Sequence, residues 1–351
     1  MPHLRRDQRL RIAVVGAGVV GLCLARALRR RGLDPLVLER APAGAYRPRP
    51  FMPPYHGFDA LADAGVLEAV RAVAWPIAPQ ADGTPVALAA SFVRVSEILA
   101  EGVPVEHGQE VTGLLRDGER VAGVRVRDAA GGERDEPADL VVACDGVRSP
   151  ARAMAGIEAR ITLAEGAHLS FMSPAVIDRS FALHYQADGR QVGLLGWPDG
   201  SAGWWDIERC GREAALAPGL DAFRIAFTRL IPEAAPAVAA LTSAEQLVYR
   251  EVEEVRCERW WVPGLVVIGD AAHAVGPEAG LGAGLGLGDA LALATAIERN
   301  PGDPDGACSE YELWRLPAVR PYEEIGAAGA RVARGEAALP EERWPPVSAV
   351  D

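Results

Sequence analysis

The stretch that most constrains this chain is a glycine-rich turn near its start. Residues 12–15 form a short, β-branched apolar run of the kind found in strands buried on both faces. The turn at 16–21 follows at once with GxGxxG spacing, and leucines then recur at helical intervals. A second apolar run, residues 35–38, ends at Glu39. Strand, glycine turn, helix, strand and acid in this order predict a binding site for a dinucleotide.

Each residue of the turn has a physical task in that interpretation. Gly16 permits the tight turn, Gly18 lets the backbone approach a pyrophosphate, and Gly21 allows close packing of helix on strand. Val19 and Val20 lie in the first helical turn, where unpaired N–H groups and the helix dipole attract phosphate. The alternative is a glycine turn that serves packing alone.

The acid that closes the motif is Glu39, eighteen residues beyond Gly21. Its carboxylate can accept hydrogen bonds from ribose hydroxyls, and the adjoining Arg40 is included in the predicted site. These residues do not distinguish NAD from FAD.

Composition excludes several classes of function. The net charge of −12 argues against generic nucleic-acid or anionic-membrane binding. All 36 basic residues are arginine, which rules out lysine Schiff-base chemistry and a Walker-A loop. No apolar run is long enough to span a membrane, and five scattered cysteines without a CxxC pair predict a reduced, cytoplasmic protein. The six histidines show no metal-ligand spacing, so no metal site is expected.

The order of apolar and alternating segments predicts an α/β fold: a doubly wound, Rossmann-like dinucleotide-binding domain with an inserted antiparallel sheet and C-terminal helices. The inserted sheet is expected to be half-buried, and the helix from 309 to 334 to break at Pro317 and Pro321. We predict a discontinuous nucleotide-binding domain, a substrate domain and a C-terminal tail. Their ranges are 1–73, 94–160 and 259–335 for the first, 74–93 and 161–258 for the second, and 336–351 for the tail.

Two further buried strands end in polar residues, at Asp145-Gly146 and at Gly269-Asp270. Ligands of doubly wound sheets collect at the carboxyl ends of the strands, so these ends and the first glycine turn are expected to line one extended cofactor.

The three segments GAGVVGL, CDGVRSPAR and GDAAHAVGPEAGLGAGLGLGDA resemble the motifs of the FAD-dependent aromatic hydroxylases, the single-component class typified by para-hydroxybenzoate hydroxylase. The resemblance extends from Ile12 to about Arg334. It implies a glutathione reductase-type FAD-binding domain, with NAD(P)H as a transient co-substrate. It also implies hydroxylation of an aromatic or polyketide-like small molecule through a flavin C4a-hydroperoxide formed with O2.

Carried over residue by residue, the resemblance implies that Asp270 binds the ribityl hydroxyls of FAD. The loop from Pro277 onward would pass along the flavin ring, and the following helix would direct its N–H groups at the ring. Arg152 matches a residue of the second motif, and Arg94 matches an arginine that reaches the FAD; the alternative for Arg94 is a surface salt bridge. The predicted site of the third motif comprises Gly269, Asp270, Pro277, Gly280, Leu281, Gly282, Ala283 and Gly284.

The chain departs from the family pattern in two places. Leu281 and Gly284 stand where the family has polar residues, and the segment 89–105 is shorter than usual. No catalytic residue is named from the sequence. His184, Tyr185 and Trp197 are candidates for the substrate pocket, whereas His273 is interpreted as structural.

The leading hypothesis is therefore an NAD(P)H-dependent FAD monooxygenase, monomeric or homodimeric, with O2 and a small molecule as its partners. Two alternatives stay open. One is a flavin-bearing non-redox catalyst such as a cyclase, or another FAD oxidoreductase of the same fold. The other is a degenerate binding protein, against which the acids at three strand ends argue.

Overall fold

The computed structural model describes residues 10–46, 48–54, 57–79, 85–276 and 280–326. The strands are β1 (Ile12–Val15), β2 (Leu36–Glu39), β3 (Pro50–Phe51), β4 (Trp75–Pro79), β5 (Pro85–Ser91), β6 (Val105–His107), β7 (Gln109–Asp117), β8 (Arg120–Asp128), β9 (Glu133–Pro137), β10 (Leu140–Ala143), β11 (Ala159–Ser173), β12 (Phe181–Tyr185), β13 (Gln191–Trp197), β14 (Gly200–Glu208), β15 (Val248–Cys257), β16 (Trp261–Val262), β17 (Leu265–Val267) and β18 (His273–Ala274). The α-helices are α1 (Val19–Arg30), α2 (Gly57–Asp63), α3 (Leu67–Ala72), α4 (Phe92–Ala100), α5 (Pro150–Ala155), α6 (Arg212–Leu216), α7 (Gly219–Leu230), α8 (Ala235–Ala239), α9 (Gly282–Arg299) and α10 (Pro304–Gly326).

The central sheet has the strand order β16-β17-β10-β1-β2-β6, in which β17, β10, β1, β2 and β6 run parallel. Every residue of β1, β10 and β17 is buried, as expected for strands covered on both faces. Helices α1 and α9 pack against each other beside this sheet. The carboxyl ends of β1, β2, β10 and β17 meet at one edge and place the three predicted motifs side by side. The predicted fold class is confirmed.

The second sheet is antiparallel throughout, in the order β12-β13-β14-β11-β15-β18, with a register shift between Leu163 and Ala167 of β11. The half-buried character expected from its period-two pattern is wrong for β13, where every residue is buried. One face of β13 packs with Phe223 and Phe227 of α7, and the other packs under Ile77 of β4. Two hydrophobic layers therefore enclose this strand.

Two three-stranded sheets complete the strand architecture. Strands β7, β8 and β9 form one of them, and β3, β5 and β4 form the other, beside the antiparallel sheet. Strand β3 reaches the interior, because Phe51 is buried against the ring of Phe92.

The C-terminal helix differs from its sequence-based prediction. Helix α10 begins five residues earlier than expected and continues through Pro317 and Pro321 without a break, to the limit of the described residues. A proline removes one backbone hydrogen bond at its position, but Val319 and Tyr322 are buried and anchor this part of the helix to the core. Packing therefore outweighs the local cost of both prolines. Among the described residues, no helix combines the length and apolar character needed to cross a membrane.

Candidate active site

A cleft with a volume of about 1020 Å³ lies between the carboxyl edge of the central sheet and one face of the antiparallel sheet. Its first wall carries the glycine turn after β1, the end of β2, the polar residues after β10 and the turn after β17. Its second wall is formed by β11, β13, β14 and β15. The predicted cofactor-site residues that line it are Gly16, Gly18, Val19, Val20, Glu39, Arg40, Asp145, Gly146, Gly269, Asp270, Gly280, Gly282 and Ala283.

The glycine turn is packed too closely for side chains at two positions. Gly16 has φ of +108°, and a Cβ there would lie 2.6 Å from the carbonyl oxygen of Cys144. A Cβ on Gly21 would lie 2.1 Å from the Gly16 oxygen and 2.7 Å from Sγ of Cys144. Gly21 therefore stands behind the cleft as a packing residue, in keeping with the role that the motif assigns to it.

The start of α1 is open toward the cleft. Gly18 caps the helix without a side-chain hydrogen bond, and a Cβ on Gly18 would meet no atom within 4 Å. The first N–H groups of a helix have no partner within the helix, so this end can receive an anion. Beside it, Glu39 accepts hydrogen bonds from the backbone N–H groups of Ala17 at 2.9 Å and Ala41 at 2.8 Å, which fixes the carboxylate at the cleft wall.

Asp145 lies on the floor of the cleft, after β10. One carboxylate oxygen accepts the Ala151 N–H at 3.1 Å, and the other is buried without a hydrogen-bond partner. Burial raises the pKa of Asp145, although hydrogen bonds to Ser149 and Ala151 oppose the shift. The neighbouring Arg152 is 4% exposed and donates to the carbonyl of Ala271 at 2.8 Å, so it ties two turns of the cleft together instead of lining it.

Asp270 projects from the turn after β17 into the cleft. Asp270 is exposed to the cleft, but the surrounding walls still raise the pKa of its carboxyl by desolvation, while the guanidinium of Arg49 opposes that shift. Gly269 has φ of +59° and lies against Val20 of α1. A Cβ on Gly286 would lie 2.6 Å from a methyl group of Val20, so helices α1 and α9 approach closely around this turn.

A buried polar network holds the same turn from behind. His273 Nε2 lies 2.5 Å from Oδ2 of Asp289, and Oδ2 also accepts the N–H of Gly269 at 2.9 Å. Oδ1 of Asp289 accepts a hydrogen bond from Nε of Arg315 at 2.8 Å. His273, Asp289 and Arg315 are at most 2% exposed, which places His273 in a structural network and away from the cleft. Asp289 and Arg315 were not singled out from the sequence.

The start of α9 divides the third motif between cleft and core. Gly282 and Ala283 line the cleft, and Leu281 precedes the helix as an N-cap that makes no side-chain hydrogen bond. Leu281 is 8% exposed and packs in the main core, while Gly284 is buried beside Gly57 of α2. Pro277 lies outside the described residues.

Arg94 is not brought to the large cleft. It lies on α4, forms an ion pair with Glu97 at 2.6 Å, and borders a separate hollow of about 300 Å³. Its side chain is 51% exposed. The position corresponds to the surface salt bridge that was the alternative interpretation.

The three substrate-pocket candidates also lie outside the cleft lining. Tyr185 shares a face with the cleft-lining Leu195, as the pairs Phe181–Leu195 and Tyr185–Gln191 show, but it sits on the edge strand β12 and is 41% exposed. His184 points to the opposite face because neighbouring strand residues alternate. Trp197 is 3% exposed beneath the β4–β5 layer. Strand parity alone could not identify the pocket face.

The substrate wall consists of residues that sequence reasoning did not select. These residues alternate along the paired strands. The ring of Trp204 covers Gly193 so closely that a Cβ on Gly193 would lie 2.0 Å from the ring. The alternation in HLSFMS was visible in the sequence, but only the sheet register shows which residues face the cleft. The residues of this wall are His168, Ser170, Met172, Leu195, Trp204, Val248 and Arg250, with Arg49 and Met52 opposite.

Comparison with known proteins decides the family. The family model described as FAD binding domain matches residues 93–300, and one described as FAD dependent oxidoreductase matches residues 11–47. A 3-amino-4-hydroxybenzoate 2-monooxygenase from Streptomyces cremeus is 29% identical over 343 residues, which cover 89% of this chain and 84% of the relative. A second enzyme of that name, PtnB3 from Streptomyces platensis, is 30% identical over 361 residues, covering 91% and 87%. The chain belongs to the FAD-dependent aromatic monooxygenases.

The solved structure of 2-methyl-3-hydroxypyridine-5-carboxylic acid oxygenase has the same fold as this monooxygenase. The two superpose with a TM-score of 0.76 at 18% identity, covering 94% of this chain and 92% of the other. The resemblance stated from the sequence, the oxidoreductase class and the FAD cofactor are confirmed.

The residues of the monooxygenase fit the flavin cofactor. The uncapped starts of α1 and α9 provide N–H groups at two ends of the cleft, and Glu39 and Asp270 provide carboxylates between them. The buried, unpartnered oxygen of Asp145 is an additional acceptor on the floor. A carboxylate only accepts hydrogen bonds, which suits the hydroxyl groups of ribose and ribityl chains. These residues could hold FAD in an extended form along the edge of the central sheet.

Proposed function

We propose that this monooxygenase hydroxylates a small aromatic carboxylate and takes its reducing equivalents from NADH or NADPH. The observation that carries the proposal is the arrangement of the substrate wall, where an apolar slot ends at an arginine. Bound FAD supplies the redox chemistry and the activation of O2. The protein's own residues bind the substrate, orient it and exclude water.

The slot is formed by side chains that share one face of the antiparallel sheet. Met172 pairs with Ala202, and Ser170 pairs with Trp204, so Met172 and Trp204 lie in adjacent rows. Leu195 extends the surface on β13. Met52 and Val275 line the cleft opposite these residues. A flat aromatic ring can be buried between such walls, because apolar and aromatic side chains dominate small-molecule pockets.

Arg250 provides a cation next to this apolar surface. It lies two residues from Val248 on β15, faces the cleft, and pairs across the sheet with His168. A guanidinium presents several N–H donors in one plane and matches a carboxylate well. The relatives named 3-amino-4-hydroxybenzoate 2-monooxygenase act on a benzoate, which has a ring and a carboxylate of this kind.

The nicotinamide co-substrate is expected to use the open side of the same cleft. The described residues show one glycine-turn nucleotide motif with its strand and helix, and that motif is assigned to FAD. Transient binding of NADH or NADPH in the cleft therefore requires no further nucleotide domain.

The experiment measures NADH and NADPH oxidation by the purified, FAD-loaded protein with and without 3-amino-4-hydroxybenzoate, 4-hydroxybenzoate and benzoate. We expect at least one hydroxybenzoate to increase the rate of oxidation of NADH or NADPH and to yield a product with one added oxygen. Uncharged phenol serves as the matched probe and should stimulate less. Tight FAD binding without nucleotide oxidation by any probe would contradict the proposal and would favour a non-redox catalyst.

A further inference from the structure

His168 lies on the substrate wall between two ionisable neighbours. On β11, His168, Ser170 and Met172 alternate toward the cleft, while Leu169 and Phe171 pack against α7 on the other face. His168 pairs with Asp206 on one side and with Arg250 on the other. An imidazole therefore stands beside the apolar slot, next to the arginine assigned to the substrate carboxylate.

The partner of His168 determines which ring nitrogen carries hydrogen. Nδ1 lies 3.1 Å from Oδ1 of Asp206, whose side chain is 11% exposed. Oδ2 of Asp206 accepts the backbone N–H of Gln191 at 3.3 Å. The two atoms are close but lack the alignment of a hydrogen bond. A carboxylate oxygen carries only lone pairs, so at this distance a hydrogen on Nδ1 is favoured over a lone pair, and the lone pair of the neutral ring then lies on Nε2.

The other ring nitrogen has no protein partner. Nε2 of His168 is buried and makes no hydrogen bond to any described residue. Burial and the neighbouring Arg250 guanidinium lower the pKa of His168 to about 4, so the ring is neutral at pH 7. A buried acceptor without a partner is costly in a folded protein, and a ligand that donates to it removes that cost.

We propose that Nε2 of His168 accepts a hydrogen bond from a hydroxyl or amino group on the aromatic ring of the substrate, and that Asp206 is the positioning residue that fixes the required tautomer. The inference rests on the proposed function, because it assumes an aromatic carboxylate in the same cleft. His168 is assigned a role in substrate selection and none in proton transfer. Aromatic rings with a hydrogen-bond-donating substituent should bind in preference to rings without one.

Isothermal titration of the FAD-loaded protein with four benzoates tests the assignment. The probes are 3-amino-4-hydroxybenzoate, 4-hydroxybenzoate, 3-aminobenzoate and benzoate, which separate the hydroxyl from the amino group. In the wild type, we expect a donor-bearing probe to bind about tenfold or more tighter than benzoate. His168→Leu should remove that preference and leave the affinity for benzoate nearly unchanged.

Three further variants separate recognition from structure. His168→Gln retains an acceptor and should restore part of the preference. Asp206→Asn should reduce the preference, and it carries the test if His168→Leu does not retain FAD. Tyr185→Phe removes a hydroxyl from the same face at the edge strand, outside the cleft, and should leave all four affinities unchanged.

The outcomes distinguish the two proposals. If His168→Leu keeps the preference, or lowers the affinity for all four probes equally, His168 does not bind the ring substituent and the inference is overturned. The same holds if Asp206→Asn retains the full wild-type preference. A wild-type protein that binds none of the benzoates contradicts the proposed substrate class, and it overturns the recognition role at the same time.

Discussion

Oδ2 of Asp289 lies 2.5 Å from Nε2 of His273, where both side chains are sealed from solvent. The same carboxylate oxygen accepts the N–H of Gly269, one residue before Asp270. Arg315 of α10 closes the network through the other oxygen. The turn that presents Asp270 to the cleft is therefore held by Asp289 of α9 and Arg315 of α10, neither of which lines the cleft.

Replacing Asp289 with Asn should destabilise the fold and loosen this turn. Burial opposes ionisation of Asp289, but His273 and Arg315 outweigh it and hold the pKa below its usual value. The variant leaves a buried arginine without its counter-charge, a change that costs about 3–5 kcal/mol. Urea unfolding at pH 7 measures this cost.

A matched control is Glu298→Gln on α9, the helix that also carries Asp289. It alters a partly exposed ion pair between Glu298 and Arg31 and should cost less than about 1 kcal/mol of stability. A carboxylate with a lowered pKa stabilises the fold above its unfolded pKa of about 3.9 and loses that effect as the pH falls. The difference between Asp289→Asn and wild type should therefore shrink in acid. Equal losses of stability for both variants at pH 7 would contradict the role of Asp289 as a buried counter-charge.

Alanine at two glycines of the first turn should have opposite consequences. Gly21→Ala places a methyl group 2.1 Å from a backbone oxygen that cannot move aside. Its loss of folding free energy should therefore exceed the about 1–3 kcal/mol that is typical of overpacking. Gly18→Ala meets open space, so the apo-protein should keep its stability to within about 0.5 kcal/mol.

FAD titration of Gly18→Ala completes this pair. Its new methyl group occupies the space where the backbone would approach the pyrophosphate, and FAD affinity should fall about tenfold or more, the equivalent of about 1.4 kcal/mol. A Gly18→Ala protein with wild-type affinity would place the pyrophosphate elsewhere.

Asp270→Asn should weaken FAD binding but stabilise the apo-protein. The pKa of Asp270 is raised, so its ionisation destabilises the folded apo-protein as the pH rises above the unfolded pKa, and asparagine removes that cost. The cost is small, because Asp270 is exposed to the cleft and solvent screens its charge. Loss of a charged acceptor for the ribityl hydroxyls should weaken FAD binding by about ten- to a hundredfold. Differential scanning fluorimetry of the apo-protein at pH 7 and FAD titration measure the two effects.

The control for Asp270→Asn is Asp139→Asn, because the pKa of Asp139 is shifted in the opposite direction. A hydrogen bond from Arg11 lowers the pKa of Asp139, so its neutralisation should lower the melting temperature and leave FAD affinity unchanged. If both variants change the melting temperature of the apo-protein in the same direction, the electrostatic explanation for Asp270 is wrong.

Arg250→Met should affect carboxylate substrates selectively. Loss of a charge-assisted hydrogen bond should raise the KM for a benzoate by about ten- to a hundredfold. The KM for an uncharged phenol and the retention of FAD should change little, because Arg250 faces the substrate end of the cleft. Steady-state kinetics with the charged and uncharged probes check this, and an equal rise for both would exclude a carboxylate contact.

The meeting of the predicted cofactor-site residues at one cleft could be foreseen because its signals are local. The turn at 16–21, Asp145 and Asp270 each follow an apolar strand directly, and parallel strands bring their carboxyl ends together. Glu39 obeys the same rule at the end of β2.

The substrate half could not be predicted because its signals are not local. His184 and His168 both lie on alternating strands, and only the register across the sheet places His168 at the cleft and turns His184 away. Helix α10 likewise depends on tertiary packing, which carries it through Pro317 and Pro321.

The most direct test of the central claim is oxygen transfer from O2. Turnover of 3-amino-4-hydroxybenzoate or 4-hydroxybenzoate under ¹⁸O2, with FAD-loaded protein and NADPH or NADH, is followed by mass spectrometry of the product. We expect a hydroxylated product that carries one ¹⁸O atom. A product labelled only from H2¹⁸O, or nucleotide oxidation without any labelled product, would contradict monooxygenation of an aromatic carboxylate by this protein.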